Sequence, residues 1–200
     1  MQQVEALNQA LFLAINAHPD ANPLTIDAAI VIAVALIYLI PLLLVGLWLW
    51  GDERKRNAAL RAFLVVSIGI GLNQILALVW PHPRPFMIGL GQTWLAHAAD
   101  SSFPSDHATV FAGVGVTLLF AGEVGLACAT WAVGLCVAWA RIYLGVHFPL
   151  DMLGALGVAA VAYAITLPLW HALGEPATRF VQRLYRQVMA WPIDRGWVHR

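Results

Sequence analysis

Charged residues are scarce in this sequence. Only 11% of its 200 residues are Asp, Glu, Lys or Arg, whereas 60% are hydrophobic. Together with a mean hydropathy of +0.74, this composition excludes an ordinary soluble domain. The formal net charge is zero, so no excess of positive charge favours nucleic acid as a partner. The sequence therefore predicts an integral membrane protein whose main partner is the lipid bilayer.

Cysteine is also nearly absent, with two residues in the whole chain. Cys128 and Cys136 lie on one predicted helix, about 12 Å apart at roughly 1.5 Å per residue, which excludes a disulfide between them. Clustered carboxylates of the kind that bind magnesium are missing as well. We therefore expect neither a metal ion nor another cofactor.

Long apolar stretches dominate what remains. A membrane span needs about 20 mostly apolar residues. Five stretches qualify, at roughly 26–50, 60–80, 106–122, 124–143 and 150–172. They predict an all-α fold, a polytopic transmembrane bundle of about five spanning helices, in a single domain over residues 1–200.

Both termini carry amphipathic patterns outside the expected core at 24–173. Apolar residues recur at helical spacing over about 2–17, and arginines alternate with large apolar residues over 174–200. Such patterns predict interfacial helices that lie on the membrane surface, one at each terminus.

Basic residues are absent from the first 53 positions and collect in two segments. Four lie between the first and second stretches and five follow the last: Arg54, Lys55, Arg56, Arg61, Arg179, Arg183, Arg186, Arg195 and Arg200. By the positive-inside rule both segments are cytoplasmic, so the C-terminus is inside and the N-terminus outside. Alternation of the spans then places two connections on the outer side, 81–105 and 143–149.

Pro104 marks the expected start of the third helix. Proline is favoured in the first turn, so this helix is predicted to begin near Phe103 with Ser105, Asp106 and His107 in its first turn. Unpaired N–H groups and the helix dipole make such a terminus attractive to anions. There Ser105 offers a hydroxyl donor, and His107 is placed to protonate a leaving oxygen.

Pro149 marks the start of the fifth helix in the same way, near Phe148. Asp151 then lies four residues after His147, close enough to accept a hydrogen bond from one imidazole nitrogen. The other nitrogen is left free to attack phosphorus. Arg84 and Arg141 are the two remaining basic residues, and guanidinium groups can hold the oxygens of a transferring phosphoryl group.

Each of these residues also has an ordinary explanation. Asp106 and Asp151 suit helix starts, and Arg84 and Arg141 could extend to lipid headgroups. Their joint occurrence favours function, because charged side chains near membrane depth are costly. Three other histidines lack such neighbours in the sequence, and for them we expect structural roles: His82, His97 and His171.

The residues resemble the signature of the type 2 phosphatidic acid phosphatase superfamily: Lys, six residues, Arg-Pro; Pro-Ser-Gly-His; and Ser-Arg, five residues, His, three residues, Asp. The matching positions are Arg84, Pro85, Pro104, Ser105, His107, Arg141, His147 and Asp151. The resemblance implies a metal-independent phosphatase in which His147 is the nucleophile, Asp151 its partner and His107 the leaving-group acid. It also implies three phosphate ligands: Arg84, Ser105 and Arg141.

Three positions depart from that signature. Ala77 stands in place of the lysine, Asp106 in place of the glycine and Ala140 in place of a frequent serine. The local sequences WPHPRPF, HAADSSFPSDH and ARIYLGVHFPLDMLG are nevertheless similar to the bacterial undecaprenyl pyrophosphate phosphatases of the bacitracin-resistance type. We therefore interpret the departures as subfamily features, with Asp106 as an additional candidate site residue whose role is unassigned.

This resemblance implies an enzyme of the bacterial inner membrane with its active site facing the periplasm. It implies hydrolysis of a polyprenyl pyrophosphate lipid, through a phosphohistidine, to the monophosphate carrier of cell-wall synthesis. One alternative is another outer-face lipid phosphatase or phosphotransferase, acting on phosphatidylglycerol phosphate, phosphatidic acid or lipid A. A remote alternative is a lipid-carrier transporter, based on the polar residues Asp27, Asn73 and Gln74 and the helix broken at Pro41. Both phosphatase hypotheses require four side chains to converge in one outward-facing pocket: Arg84, His107, Arg141 and His147.

Overall fold

A computed structural model describes residues 2–199, and every regular element in that range is helical. The α-helices are α1 (Gln2–Ile15), α2 (Pro23–Ala35), α3 (Leu39–Trp50), α4 (Glu53–Val79), α5 (Asp106–Phe120), α6 (Val124–Tyr143), α7 (Pro149–Val188) and α8 (Ala190–Asp194). Two short 3-10 segments, Leu36–Tyr38 and Pro85–Ile88, complete the set. The predicted all-α fold is confirmed.

Within residues 2–199, four helical stretches are long and apolar enough to cross a membrane: Pro23–Trp50, Glu53–Val79, Val124–Tyr143 and Pro149–Val188. The third predicted span, at 106–122, is shorter than expected. Helix α5 has 15 residues, or about 22 Å, which is less than the roughly 30 Å of hydrocarbon in a bilayer. It packs against α4, α6 and α7, and Val114 and Leu118 in it are fully buried. This helix therefore runs from the loop at 80–105 to the α5–α6 turn as the buried centre of the bundle.

The first span is interrupted near Pro41, as the sequence predicts. Proline has no N–H to bond the carbonyl of Ile37, and its ring clashes with that carbonyl. The chain responds with a tighter 3-10 turn at Leu36–Tyr38, which joins α2 to α3.

Helix α7 is much longer than the predicted fifth span. Its 40 residues extend about 60 Å, twice the hydrocarbon thickness, and include Pro168 and Pro176. No helix boundary occurs at 173–174, where the terminal segment was predicted to begin. The extension is held by Asn57 of α4, which accepts from Trp170 Nε1 at 2.9 Å and donates to Thr178 Oγ1 at 3.0 Å. These contacts tie the extension of α7 to α4 on both sides of Pro176.

The bundle has two chemically different ends. At one, the basic end, the ion pair of Arg54 with Glu123 (2.6 Å) joins the start of α4 to the α5–α6 turn. Trp50 Nε1 donates to Trp197 O at 3.0 Å, which brings the C-terminal residues to the same end. At the other, the loop end, the loop 80–105 meets the connection 144–148.

Close backbone contacts fix the loop end. Gly145 has φ +83°, and a Cβ there would lie 2.1 Å from Gln92 O, so only glycine lets the connection 144–148 dock on the loop. Asn8 of α1 accepts from the backbone N of Leu150 at 3.1 Å and so stabilises the start of α7. Helix α1 thus belongs to the loop end; its placement at the membrane surface stays a prediction.

Candidate active site

A cavity of about 160 Å³ opens at the loop end. The structure brings four side chains predicted to converge to its wall: Arg84, His107, Arg141 and His147. They come from the loop after α4, the first turn of α5, the last turn of α6 and the connection before α7. Residues 63 positions apart in sequence, Arg84 and His147, lie within hydrogen-bonding distance.

The start of α7 positions His147. Phe148 is the N-cap and Pro149 the first helical residue, which confirms the predicted start. Asp151 accepts from the backbone N of Phe148 at 2.7 Å and from His147 Nδ1 at 3.1 Å. With its Nδ1 proton on this carboxylate, the His147 imidazole carries a free lone pair on Nε2.

Burial of His147 lowers its pKa to about 4, although the hydrogen bond and charge of Asp151 act in the opposite direction. The imidazole is therefore neutral near neutral pH. A neutral imidazole with a lone pair on Nε2 is the form in which histidine acts as a nucleophile.

Ser102 is a residue that sequence reasoning missed. It is fully buried, and its hydroxyl donates to the same Asp151 oxygen that receives His147. Its backbone N donates to His82 O at 2.7 Å, which ties this part of the loop down. A buried carboxylate needs several donors, but spacing within α7 says nothing about a donor that arrives from the loop.

Arg84 lies beside the attacking nitrogen. Its Nη1 is 3.2 Å from His147 Nε2 and donates to Val146 O at 2.8 Å. Its Nε donates to Asp100 at 2.8 Å. Because arginine only donates, the contact requires an unprotonated Nε2, the same tautomer that Asp151 imposes.

Arg141 and His107 face the cavity as a second pair. Arg141 Nη1 lies 3.4 Å from His107 Nε2, and Arg141 is 4% exposed. Its Nε is buried without a hydrogen-bond partner among residues 2–199. Buried donors are nearly always satisfied, so Arg141 is held at the cavity with an incomplete set of partners, and its positive charge there suits an anionic ligand.

Helix α5 begins slightly later than predicted. It starts at Asp106, because Ser105 has extended backbone and caps the helix by accepting from Ala108 N at 3.5 Å. Pro104 consequently precedes the cap instead of lying in the first turn. Ser105 is fully buried behind the cavity wall, so its predicted role as a phosphate ligand stays a prediction.

Asp106 lines the cavity next to two amides of α4. It accepts from Asn73 Nδ2 at 2.7 Å, and the same nitrogen donates to Thr109 Oγ1 at 3.0 Å. Gln74 and Ala77 continue this wall, where a lysine would be expected from the signature. Asn73 and Gln74, considered for a transporter pathway, thus belong to the same cavity as the histidines.

The structure places His97 beside the site residues, which its isolation in the sequence did not predict. Its side chain lines the cavity, with its ring centroid 6.2 Å from that of His147. His82, by contrast, has its ring 5.7 Å from Trp80 and lies 3.9 Å from Glu5, and His171 is at the basic end. His97 lies 50 positions before His147, so only the fold of the loop brings the two together.

Burial and neighbouring charges at the loop end shift the pKa of two further groups, His97 and Asp100. Burial lowers the pKa of His97, and the neighbouring Arg84 charge lowers it further. The pKa of Asp100 is lowered as well: burial raises it, but the hydrogen bond and charge of Arg84 outweigh that effect.

Between residues 2 and 199 no group of three or more His, Cys, Asp or Glu side chains is arranged to hold a metal ion. The two guanidinium groups are instead donors that suit an anion.

Comparisons with known proteins agree with this chemistry. The chain matches the PAP2 superfamily over residues 58–175. It is similar to YbjG of Escherichia coli (strain K12), with 38% identity over 195 residues and 98% of each chain covered. It is also similar to undecaprenyl-diphosphatase BcrC of Bacillus subtilis (strain 168), with 30% identity over 92% of this chain and 94% of the relative. The crystal structure of Aquifex aeolicus LpxE has the same fold, with a TM-score of 0.67, 23% identity, and 81% of this chain and 95% of that chain covered.

Proposed function

This chain belongs to the PAP2 superfamily, and we propose that it hydrolyses undecaprenyl diphosphate to undecaprenyl phosphate on the periplasmic face of the bacterial inner membrane. The observation that carries this proposal is the arrangement of His147, with Nδ1 on Asp151 and Nε2 beside Arg84 in an anion-binding cavity. The activity named for the relative BcrC supports the choice of lipid.

In the first step, the Nε2 lone pair of His147 attacks the terminal phosphorus. A P–N bond forms, the anhydride P–O bond breaks, and His107 gives its proton to the departing oxygen of undecaprenyl phosphate. Arg84 and Arg141 hold the phosphoryl oxygens, on which charge concentrates in the transition state.

In the second step, water attacks the phosphohistidine. His107, now neutral, takes a proton from that water while the P–N bond breaks, and inorganic phosphate leaves. Asp151 keeps His147 in one tautomer throughout and stabilises positive charge on its ring.

The sidedness of charge supports an outward-facing site. The basic end holds Arg54, Lys55 and Arg56, which the positive-inside rule assigns to the cytoplasm together with the C-terminus. The cavity lies at the opposite end, where helix termini reach the level of lipid headgroups. The diphosphate of a membrane-anchored polyprenol must lie at that same level.

An apolar groove beside the cavity suits the lipid chain. It runs between α5, α6 and α7 from Ala108, next to His107, past Ala138 to Leu156. Ala138→Phe would narrow this groove without touching the cavity. We expect it to slow hydrolysis of undecaprenyl diphosphate while leaving hydrolysis of a short-chain diphosphate unchanged; equal effects on both substrates would contradict this path.

The test of the reaction is phosphate release from undecaprenyl diphosphate by purified protein in detergent with a chelator present. We expect turnover, an acid-labile phosphoenzyme, and loss of both in His147→Ala, whereas the matched control His171→Ala at the basic end retains both. A panel with phosphatidylglycerol phosphate and phosphatidic acid tests the lipid. Faster release from a glycerolipid would overturn the substrate, and turnover by His147→Ala would overturn the nucleophile.

A further inference from the structure

The cavity is short of positive charge for the anion it is proposed to bind. Arg84 and Arg141 line it, but so do the carboxylates of Asp100 and Asp106, and the formal charges cancel. A phosphate group brings about two negative charges at neutral pH. Further positive charge therefore strengthens binding, and the three lining imidazoles are the groups able to acquire it.

Two of those imidazoles have other duties in the proposed reaction. His147 needs an unprotonated Nε2 to attack phosphorus. His107 gives its proton, and with it its positive charge, to the leaving oxygen, so it is neutral while the phosphoenzyme exists. His97 has no such duty. Its Nδ1 lies 3.2 Å from Ala98 O, a contact that holds the Nδ1 proton and makes Nε2 the atom that gains or loses a proton.

We propose that His97 is a phosphate-binding residue that becomes an imidazolium when the substrate's phosphate enters the cavity. The proposal rests on the proposed function, since it deepens the description of that same site. The position of the ring, 6.2 Å from His147, allows one phosphoryl group to contact both side chains.

The groups that face His97 explain why protonation waits for the anion. Asp100 on its own loop is 3.8 Å from Nδ1 and favours the cation. Arg84 and Arg141 oppose it through their charges, and His107 and His147 share the cavity. Burial and Arg84 hold the pKa of the empty-cavity His97 below its usual value. An anion placed among these groups offsets the two guanidinium charges, so binding and proton uptake occur together.

The experiment measures sulfate binding by calorimetry in buffers of different ionisation enthalpy. Sulfate is a suitable probe because its own charge is constant across the neutral range. We expect the wild-type protein to bind sulfate more tightly as pH falls and to take up protons. His97→Ala should bind roughly ten- to hundredfold more weakly and take up about one proton fewer.

Two controls separate charge from structure. His82→Ala removes an imidazole from the same loop but outside the cavity, and should leave sulfate affinity and proton uptake unchanged. His97→Gln keeps a hydrogen-bonding side chain without a titratable group. It should lose the same proton uptake as His97→Ala, including in a preparation where the alanine variant is unstable.

A rescue variant sharpens the test, because Ala77 lines the same cavity from α4. Ala77→Lys combined with His97→Ala should restore sulfate affinity without restoring the proton uptake. Kinetically, His97→Ala should raise KM for the phosphorylated lipid more than it lowers kcat.

Wild-type sulfate affinity and proton uptake in both His97 variants would overturn the proposal, and a double variant no better than His97→Ala would overturn its electrostatic basis. A wild-type protein that binds sulfate through His97 but releases no phosphate from any lipid would instead overturn the proposed function alone.

Discussion

Two buried arginines at opposite ends of the bundle show how the same side chain serves structure in one place and ligand binding in the other. Arg56 at the basic end is 2% exposed and Arg141 at the loop end 4%. Arg56 donates to Trp48 O and to His199 O, each at 2.8 Å, and lies over the rings of Trp48 and Tyr185. Arg141 has a 3.4 Å contact with His107 and an Nε without a partner among residues 2–199.

Arg56 and Arg141 are almost equally buried, so the difference between them lies in how many of their N–H groups have hydrogen-bond partners. A buried guanidinium whose donors meet backbone carbonyls and aromatic rings stabilises the fold around it. One that lines a cavity and keeps a buried donor without a partner costs stability, and an anion that compensates its charge offsets part of that cost. The two ends therefore separate stability from activity, and substitutions should separate them too.

Removing the support of the nucleophile should have the largest effect. Asp151→Asn loses the carboxylate that holds the Nδ1 proton of His147, and we expect kcat to fall about 10³- to 10⁴-fold. Phosphate release measures the loss of kcat, and thermal unfolding in detergent shows separately whether the fold is retained. Asp27→Asn, at an exposed position of α2, is the matched control and should keep full turnover. Equal losses in both variants would show that Asp151 has no special role.

The acidic limb of the pH–activity profile should depend on the same two residues, His147 and Asp151. Because the pKa of His147 is about 4, the neutral nucleophile is fully present above that value and declines about tenfold per pH unit below it. Asp151 raises this pKa, so the limb of the residual activity in Asp151→Asn should move to lower pH. Single-turnover phosphoenzyme formation against pH checks this, and a limb that moves upward would contradict the assignment.

Arg141→Met tests the unsatisfied arginine. We expect kcat/KM to fall by about 10²- to 10³-fold, because a preorganised donor to the phosphoryl oxygens is lost. The midpoint of thermal unfolding should stay the same or rise, since the variant removes a buried donor without a partner. A clear fall in unfolding temperature would place Arg141 with Arg56 as a structural residue.

Arg56→Met should give the opposite pattern. The carbonyls of Trp48 and His199 lose a charged donor, so we expect a stability loss of roughly 2–3 kcal/mol, measured by thermal unfolding in detergent. Once folded, the variant should have nearly normal kcat, because the basic end does not contact the cavity. A large loss of kcat at a temperature well below unfolding would contradict the separation of the two ends.

The smallest effect is expected at the rim of the basic end. Glu123→Gln removes the ion pair with Arg54, whose side chain is 62% exposed. We therefore expect the free energy of unfolding to fall by less than about 1 kcal/mol. The difference from the wild-type protein should shrink further in high salt. A salt-independent loss of several kcal/mol would show that this pair is structural in the manner of Arg56.

Local spacing in the sequence was sufficient to predict part of this structure. The apolar lengths predicted membrane helices, Pro149 located the start of α7, and the four-residue interval from His147 to Asp151 predicted their contact. His147 lies just before the N-cap and Asp151 in the first turn, so local chain geometry at the helix start brings them together and the sequence interval carries that information.

Tertiary structure decided the rest. The entry of Ser102 and His97 into the site, the enclosure of the short α5 and the continuation of α7 through Pro168 and Pro176 depend on contacts between distant segments. Such contacts arise from packing, as where Gly145 meets Gln92, and no interval in the sequence encodes them. The sequence by itself determined which residues could carry charge and attack phosphorus; only the packed loops decided which of them face the same cavity.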